Sequence, residues 1–135
     1  MSEKSTTKPE LSATMRDYLA EIYRLSERHP DENGYVGTSA LAELLNVSAP
    51  AVNRMVTKLK DYGLLHHEPY QGIKLTDAGR VEALIQLRKH RIAESFLNHV
   101  MGFGWDEVYE EAHAMSGALS EVISQRMFDM AENPT

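Results

Sequence analysis

Thr38-Ser-Ala-Leu-Ala-Glu-Leu-Leu-Asn-Val-Ser-Ala-Pro-Ala-Val-Asn-Arg-Met-Val-Thr-Lys-Leu-Lys-Asp-Tyr-Gly-Leu-Leu65 decides the fold of this 135-residue chain. A hydroxyl from Thr38 or Ser39 is placed to cap a short helix carrying Leu41, Leu44 and Leu45. Asn46-Val-Ser48 then makes a turn, and Ser48 caps a further helix whose first turn holds Pro50, where a missing N–H costs nothing. Gly63 ends that helix, and the following leucines enter a strand. Helix, turn, helix and strand in this order predict a winged helix-turn-helix, which puts its last helix in the DNA major groove.

Outward from that core, Ser12 can cap a first helix in which Met15, Tyr18, Leu19, Ile22 and Leu25 recur at helical spacing up to about His29. Pro30 to Gly34 is turn chemistry. Leu64 to Leu75 reads as a hairpin wing with Glu68-Pro-Tyr-Gln-Gly72 near its tip. Thr76-Asp-Ala-Gly opens a long fourth helix with Ala83, Leu84, Leu87, Ile92, Phe96 and Leu97 as its apolar positions, and Gly102-Phe-Gly104 breaks it. Residues 105–131 read as one or two more helices. The expected fold is mainly α with a small β-wing: a polar, disordered start (1–11), a winged helix-turn-helix domain (12–75) and a helical dimerisation domain (76–135).

The net charge of −6 is located, not spread. Residues 105–135 hold seven acids against the single base Arg126, and the rest of the chain is balanced. Within 46–74, Arg54, Lys58, Lys60 and Lys74 oppose only Asp61 and Glu68, so the reading head is mildly basic and net charge does not veto DNA binding. The chain has no cysteine, which excludes disulfides and thiolate metal sites. No apolar run reaches membrane-spanning length, and the polar start lacks the apolar segment of a signal peptide. These features point to a prokaryotic cytoplasm.

On the last helix of the head, Val52, Val56 and Leu59 share a face expected to pack on Leu41 and Leu44. The other face presents Pro50, Arg54, Thr57 and Lys58, flanked by Ala51 and Asn53. Arg pairs with guanine, Asn with adenine, and an Ala methyl touches thymine. Ser39, Ser48, Pro50, Ala51, Asn53, Arg54, Thr57, Lys58 and the wing residue Gln71 are therefore the candidate DNA contacts. His66, His67, Tyr70 and Lys74 on the wing are within reach of the backbone or minor groove. A winged helix can also serve as a protein-binding module with this face merely solvated.

Several segments resemble the diphtheria toxin repressor family of iron- and manganese-dependent regulators. They are Met15-Arg-Asp-Tyr-Leu-Ala-Glu-Ile-Tyr-Arg-Leu25, Val47-Ser-Ala-Pro-Ala-Val, Leu75-Thr-Asp-Ala-Gly-Arg80 and Arg88-Lys-His-Arg-Ile-Ala-Glu94. The similarity runs from about residue 13 to the end of the chain. It implies a homodimer that binds a palindromic operator on double-stranded DNA when a divalent metal is present, with dimerisation and metal binding after about residue 80. Many members add an SH3-like domain after a Pro/Gly-rich segment. This sequence stops at Glu132-Asn-Pro-Thr135, about where that segment begins, as a short member or a cut one.

His90 and Glu94 lie four apart on one helix face, so they can meet one ion or simply pair at the surface. The resemblance implies that both are ligands. It also places His113 where relatives carry Cys or Glu, and Asp17 where they carry Met or Asp. On its own, Asp17 favours the N-terminal end of its helix electrostatically. The departures are as specific: Ser116 and Gly117 replace a ligand Glu and His, Tyr109 replaces a ligand His, and Ala20 replaces the Glu of manganese-type members. Glu21 points about 100° round the helix from Ala20 and substitutes poorly for it. Asp17, His90, Glu94 and His113 remain as an N/O set, with Glu110 or Glu111 nearby. Without sulfur this set is compatible with Mn, Fe, Co, Ni or Zn, and the resemblance implies Mn or Fe foremost. The alternative is a regulator of the same fold whose metal response is lost or altered.

Val108, Ala112, Met115, Leu119, Val122, Ile123 and Met127 form an apolar stripe expected to supply core and dimer surface, the interface falling to Val108, Ala112, Met115, Leu119, Val122 and Ile123. Small residues Ala114, Ser116, Gly117 and Ala118 allow close helix approach, so Ser116 and Gly117 could serve packing. A catalytic role has little support: the sequence holds no phosphate-cradling glycine loop and no His-Glu-x-x-His. A metal-dependent hydrolase is the competing class, and the chain is read as a non-enzyme.

Overall fold

The computed structural model describes residues 10–28 and 34–132. The expected disordered start and the Pro30 turn lie at least in part outside the described residues. The chain divides into two compact units, one up to Val81 and one from Glu82.

The first unit opens with α1 (Ala13–Arg28), whose Met15, Tyr18, Leu19, Ile22 and Leu25 are buried at the predicted spacing. Ser12 caps it by accepting the Met15 N–H at 3.1 Å. Next come α2 (Thr38–Leu45) and α3 (Ala49–Asp61). The N-cap of α2 is Gly37, with no side-chain cap, instead of the expected Thr38 or Ser39. Glycine is tolerated there, and both hydroxyl residues fall inside the helix. Asn46 turns the chain in the left-handed conformation (φ 56°), its N–H and that of Val47 closing on the Glu43 and Ala42 carbonyls at 3.2 and 3.1 Å. Ser48 caps α3 by accepting the Ala51 N–H at 3.2 Å.

The wing is an antiparallel pair, β1 (Leu65–Glu68) and β2 (Gly72–Leu75), in the register Leu65 opposite Leu75. Tyr70 at the tip has φ 68°. Val36 adds a further rung to β2, exchanging two backbone hydrogen bonds with Ile73 at 2.7 and 2.8 Å. The core of the unit is made by Leu41, Val52, Val56, Leu59, Leu64, Leu65 and Ile73 with the α1 face. Leu44, expected in that core, is exposed: the short α2 buries Leu41 and half-buries Leu45, one turn apart, and Leu44 falls on the flank.

Helix α4 (Asp77–His99) begins in the first unit. Thr76 fastens its first turn to the base of the wing. Its hydroxyl donates to the Gly63 carbonyl at 2.8 Å and accepts the Gly79 N–H at 3.0 Å, while its own N–H reaches the Leu64 carbonyl at 3.1 Å. In the second unit α5 (Trp105–Ser116) and α6 (Glu121–Glu132) follow, so residues 105–131 form two helices. Their core gathers Ile92, Ala93, Leu97, Val108, Ala112, Leu119 and Met127, with Phe96, Phe103 and Met115 packed against it. On α4, Leu84, one of its apolar positions, is exposed. Among the described residues, no helix is long and apolar enough to cross a membrane.

Candidate nucleic-acid interface and metal centre

Burial separates the two faces of α3 as its spacing predicts. Val52, Val56 and Leu59 are 0–1% exposed. Pro50, Asn53, Arg54, Thr57 and Lys58 are exposed and Ala51 is half-buried. The buried face fixes the helix, so the outer face is a rigid display of one guanidinium, one ammonium, an amide and a hydroxyl. Ser39, Ser48 and Gln71 are exposed too. Tyr70 stands fully in solvent at the wing tip, while the Lys74 ammonium lies 5.6 Å from the Tyr35 ring centre.

In the second unit, one turn of α4 brings the His90 and Glu94 side chains together, with Nε2 and Oε2 3.3 Å apart. The imidazole is 6% exposed and the carboxylate 25%, so this is no freely solvated surface pair. Two rings from α5 lie beside His90: Tyr109 at 5.0 Å between centroids and His113 at 5.9 Å. His90, Glu94 and His113 are thus gathered in one unit. Asp17 is half-buried on α1 of the first unit, and the neighbouring Glu21 is held by Arg24 at 2.7 Å.

Ser116 is fully buried, and its hydroxyl turns back to the His113 carbonyl at 3.5 Å. Gly117 caps the end of α5. One is a buried hydroxyl turned to the backbone and the other has no side chain. Among the described residues, no three His, Asp or Glu side chains form a group able to hold an ion by themselves. The partly buried His90–Glu94 pair puts one nitrogen and one hard oxygen, donor types that a divalent transition metal accepts, on one helix.

The expected dimer stripe divides. Val108, Ala112 and Leu119 are buried within one protomer, so these three are corrected from interface to core, while Met115 packs on the same core and stays half-buried. An apolar period marks a covered face, and here α4 and α6 cover it. Val122 and Ile123 stay exposed, at 67% and 50%. Tyr109 was set aside in the sequence as a lost ligand, yet it stands beside His90. Its i, i+4 spacing from His113 was the available signal.

The fold and this interface define a winged helix-turn-helix DNA-binding unit joined to a helical unit with a buried imidazole–carboxylate pair. Residues 10–73 match the model of the iron dependent repressor N-terminal DNA binding domain, and residues 76–135 that of its metal binding and dimerisation domain. The chain belongs to the iron-dependent repressor family. It is 36% identical over 127 residues to the iron-dependent repressor IdeR of Mycobacterium tuberculosis, covering 93% of this chain and 53% of that protein. A HTH-type transcriptional regulator of Methanocaldococcus jannaschii is 37% identical over 117 residues, covering 87% of this chain and 91% of the relative. A solved manganese-dependent transcriptional repressor in complex with manganese superposes with a TM-score of 0.79 at 36% identity, covering 87% of this chain and 52% of that one. The chain therefore spans about half the length of the IdeR sequence it matches.

Proposed function

We propose that this protein is a cytoplasmic, homodimeric repressor of metal-homeostasis genes that binds a palindromic operator when loaded with a divalent transition metal, Mn or Fe foremost. The observation that carries the proposal is one chain holding both an outward recognition face on α3 and a buried His90–Glu94 pair on α4. Arg54 is the base-reading cation, with Asn53, Thr57 and Lys58 beside it, Pro50 and Ala51 as apolar contacts, and Ser39, Ser48 and Gln71 on the backbone. His90, Glu94 and His113 are the metal-ligand candidates of the second unit, Asp17 is a separate candidate of the first, and Val122 and Ile123 contribute to the dimer. The bound ion supplies a positive charge that fixes its ligands in one arrangement. No catalytic step is assigned to any residue.

A second reading, a regulator of the same fold with lost or altered metal response, is favoured by one observation: the Ser116 hydroxyl is turned to the His113 carbonyl and Gly117 has no side chain. Binding of the whole chain to a duplex recovered by in vitro selection tests the main reading. Arg54→Ala should weaken it by about 1–3 kcal/mol. Equal affinity of Arg54→Ala and wild type would remove α3 from the interface.

A further inference from the structure

The wing ends on a bulky aromatic at a position where its turn favours glycine. Proline holds φ near about −65°, so Pro69 sets the first half of the turn. The Gln71 N–H closes on the Glu68 carbonyl at 3.1 Å, and Tyr70 takes φ 68°. This is a type II turn, whose third position prefers Gly or Asn because a larger side chain crowds the backbone there. Gly72, two residues on at φ 115°, answers a packing need: a Cβ there would run into the Val36 carbonyl. Tyr70 answers none. It is 107% exposed, and among the described residues its side chain makes no hydrogen bond, ion pair or ring contact, so no burial offsets the strain. Strained residues that the fold does not use cluster where a ligand uses them.

The stem of the wing fixes where that ring stands. β1 packs against the recognition helix α3, and β2 is pinned on its other side by Val36. The ladder sets His66 opposite Lys74, and between Leu65 and Leu75 the only acid is Glu68. A phenol ring projecting from a stem with a cation suits a polyanion with a slot for a flat group, and the DNA minor groove, about 6 Å wide, is such a slot. Its floor differs by base pair: A·T pairs show only acceptors, while G·C adds the protruding guanine 2-amino group. The ring of Tyr70 has room over A·T pairs, and its O–H can donate to their acceptors. We propose that Tyr70 enters the minor groove at A·T pairs flanking the bases read by α3, so that the wing tip adds operator specificity outside the major-groove contacts. The proposal rests on the DNA-binding reading above and deepens it by a second point of readout.

The test measures affinity of the whole chain, supplied with Mn(II), for three duplexes by fluorescence anisotropy. One is an operator recovered by in vitro selection. In the second its flanking A·T pairs are replaced by G·C, and in the third by inosine·C, which lacks the 2-amino group. Wild type should bind the G·C version roughly 5–100-fold more weakly, and the inosine version should restore binding. Tyr70→Gly should bind the parent duplex about as weakly as wild type binds the G·C version and should no longer distinguish the three. Because glycine relaxes the turn, that variant should melt at or above the wild-type temperature. Wild-type affinity and flank preference in Tyr70→Gly, an inosine duplex as weak as the G·C one, or a variant melting below wild type would overturn the role of Tyr70. Weakened binding by Arg54→Ala in the same assay would then leave the recognition helix standing. Absence of duplex binding by wild type would overturn both.

Discussion

Replacing Gly79 by alanine probes the joint between recognition unit and long helix. The added methyl runs into the Leu64 carbonyl and comes within 3.2 Å of Leu75 Cδ2. That carbonyl also accepts the Thr76 N–H at 3.1 Å, so backbone has to give, not the loose end of a side chain. Two effects oppose each other. Alanine gains at most about 1 kcal/mol over glycine as a helix former. Overpacking costs typically 1–3 kcal/mol, and weakening the Thr76 and Gly79 hydrogen bonds adds about 1 kcal/mol each. The clash wins, with a net destabilisation of about 2–5 kcal/mol. For a unit of this size each kcal/mol lowers Tm by about 4–8 °C. Thermal melts followed by circular dichroism should therefore show Gly79→Ala well below wild type. Gly37→Ala is the control without a clash: a Cβ there meets nothing within 4 Å, so the loss is limited to the roughly 0.5–1.5 kcal/mol by which alanine is the poorer N-cap. A Gly79→Ala protein as stable as wild type would refute the close approach of α4 to Leu64.

Further outcomes follow from the two faces of each helix. Lys58→Ala should weaken DNA binding about uniformly across sequences and reduce the salt slope by about 1, read from affinities at several salt concentrations; an unchanged slope would take Lys58 off the phosphates. Ser116→Glu should destabilise the second unit instead of restoring a ligand, because position 116 is fully buried and an unpaired carboxylate there costs several kcal/mol; a stable variant with raised metal affinity would contradict this. The double change Val122→Ser with Ile123→Ser should leave the melting temperature of the protomer nearly unchanged while raising the dimer dissociation constant. Analytical ultracentrifugation reads this, and an unaltered dimer would move the interface elsewhere.

The recognition unit was legible because local rules governed it. Ser48, Pro50 and Gly63 mark helix ends by chemistry that acts within one turn, and Val52, Val56 and Leu59 recur at a period that only a helix satisfies. The Gly37 cap was not legible, since a helix start can be made without a side-chain acceptor and neighbouring hydroxyls then mislead. The stripe at 108–127 was seen, but periodicity reports that a face is covered and not by what. Here α4 and α6 of the same protomer cover Val108, Ala112 and Leu119. His90 and Glu94 could be paired from their spacing along one helix. The placing of Tyr109 beside His90 depends on how α5 packs on α4, which no single-helix pattern carries.

The central claim is that metal controls the reading head. Its most direct measurement is the affinity of the whole chain for a selected operator duplex, titrated with Mn(II), Fe(II) and Zn(II) beside a chelator-treated sample. Tight binding should require metal, be abolished by chelator and be lost in His90→Ala. Equal affinity with and without metal would contradict it.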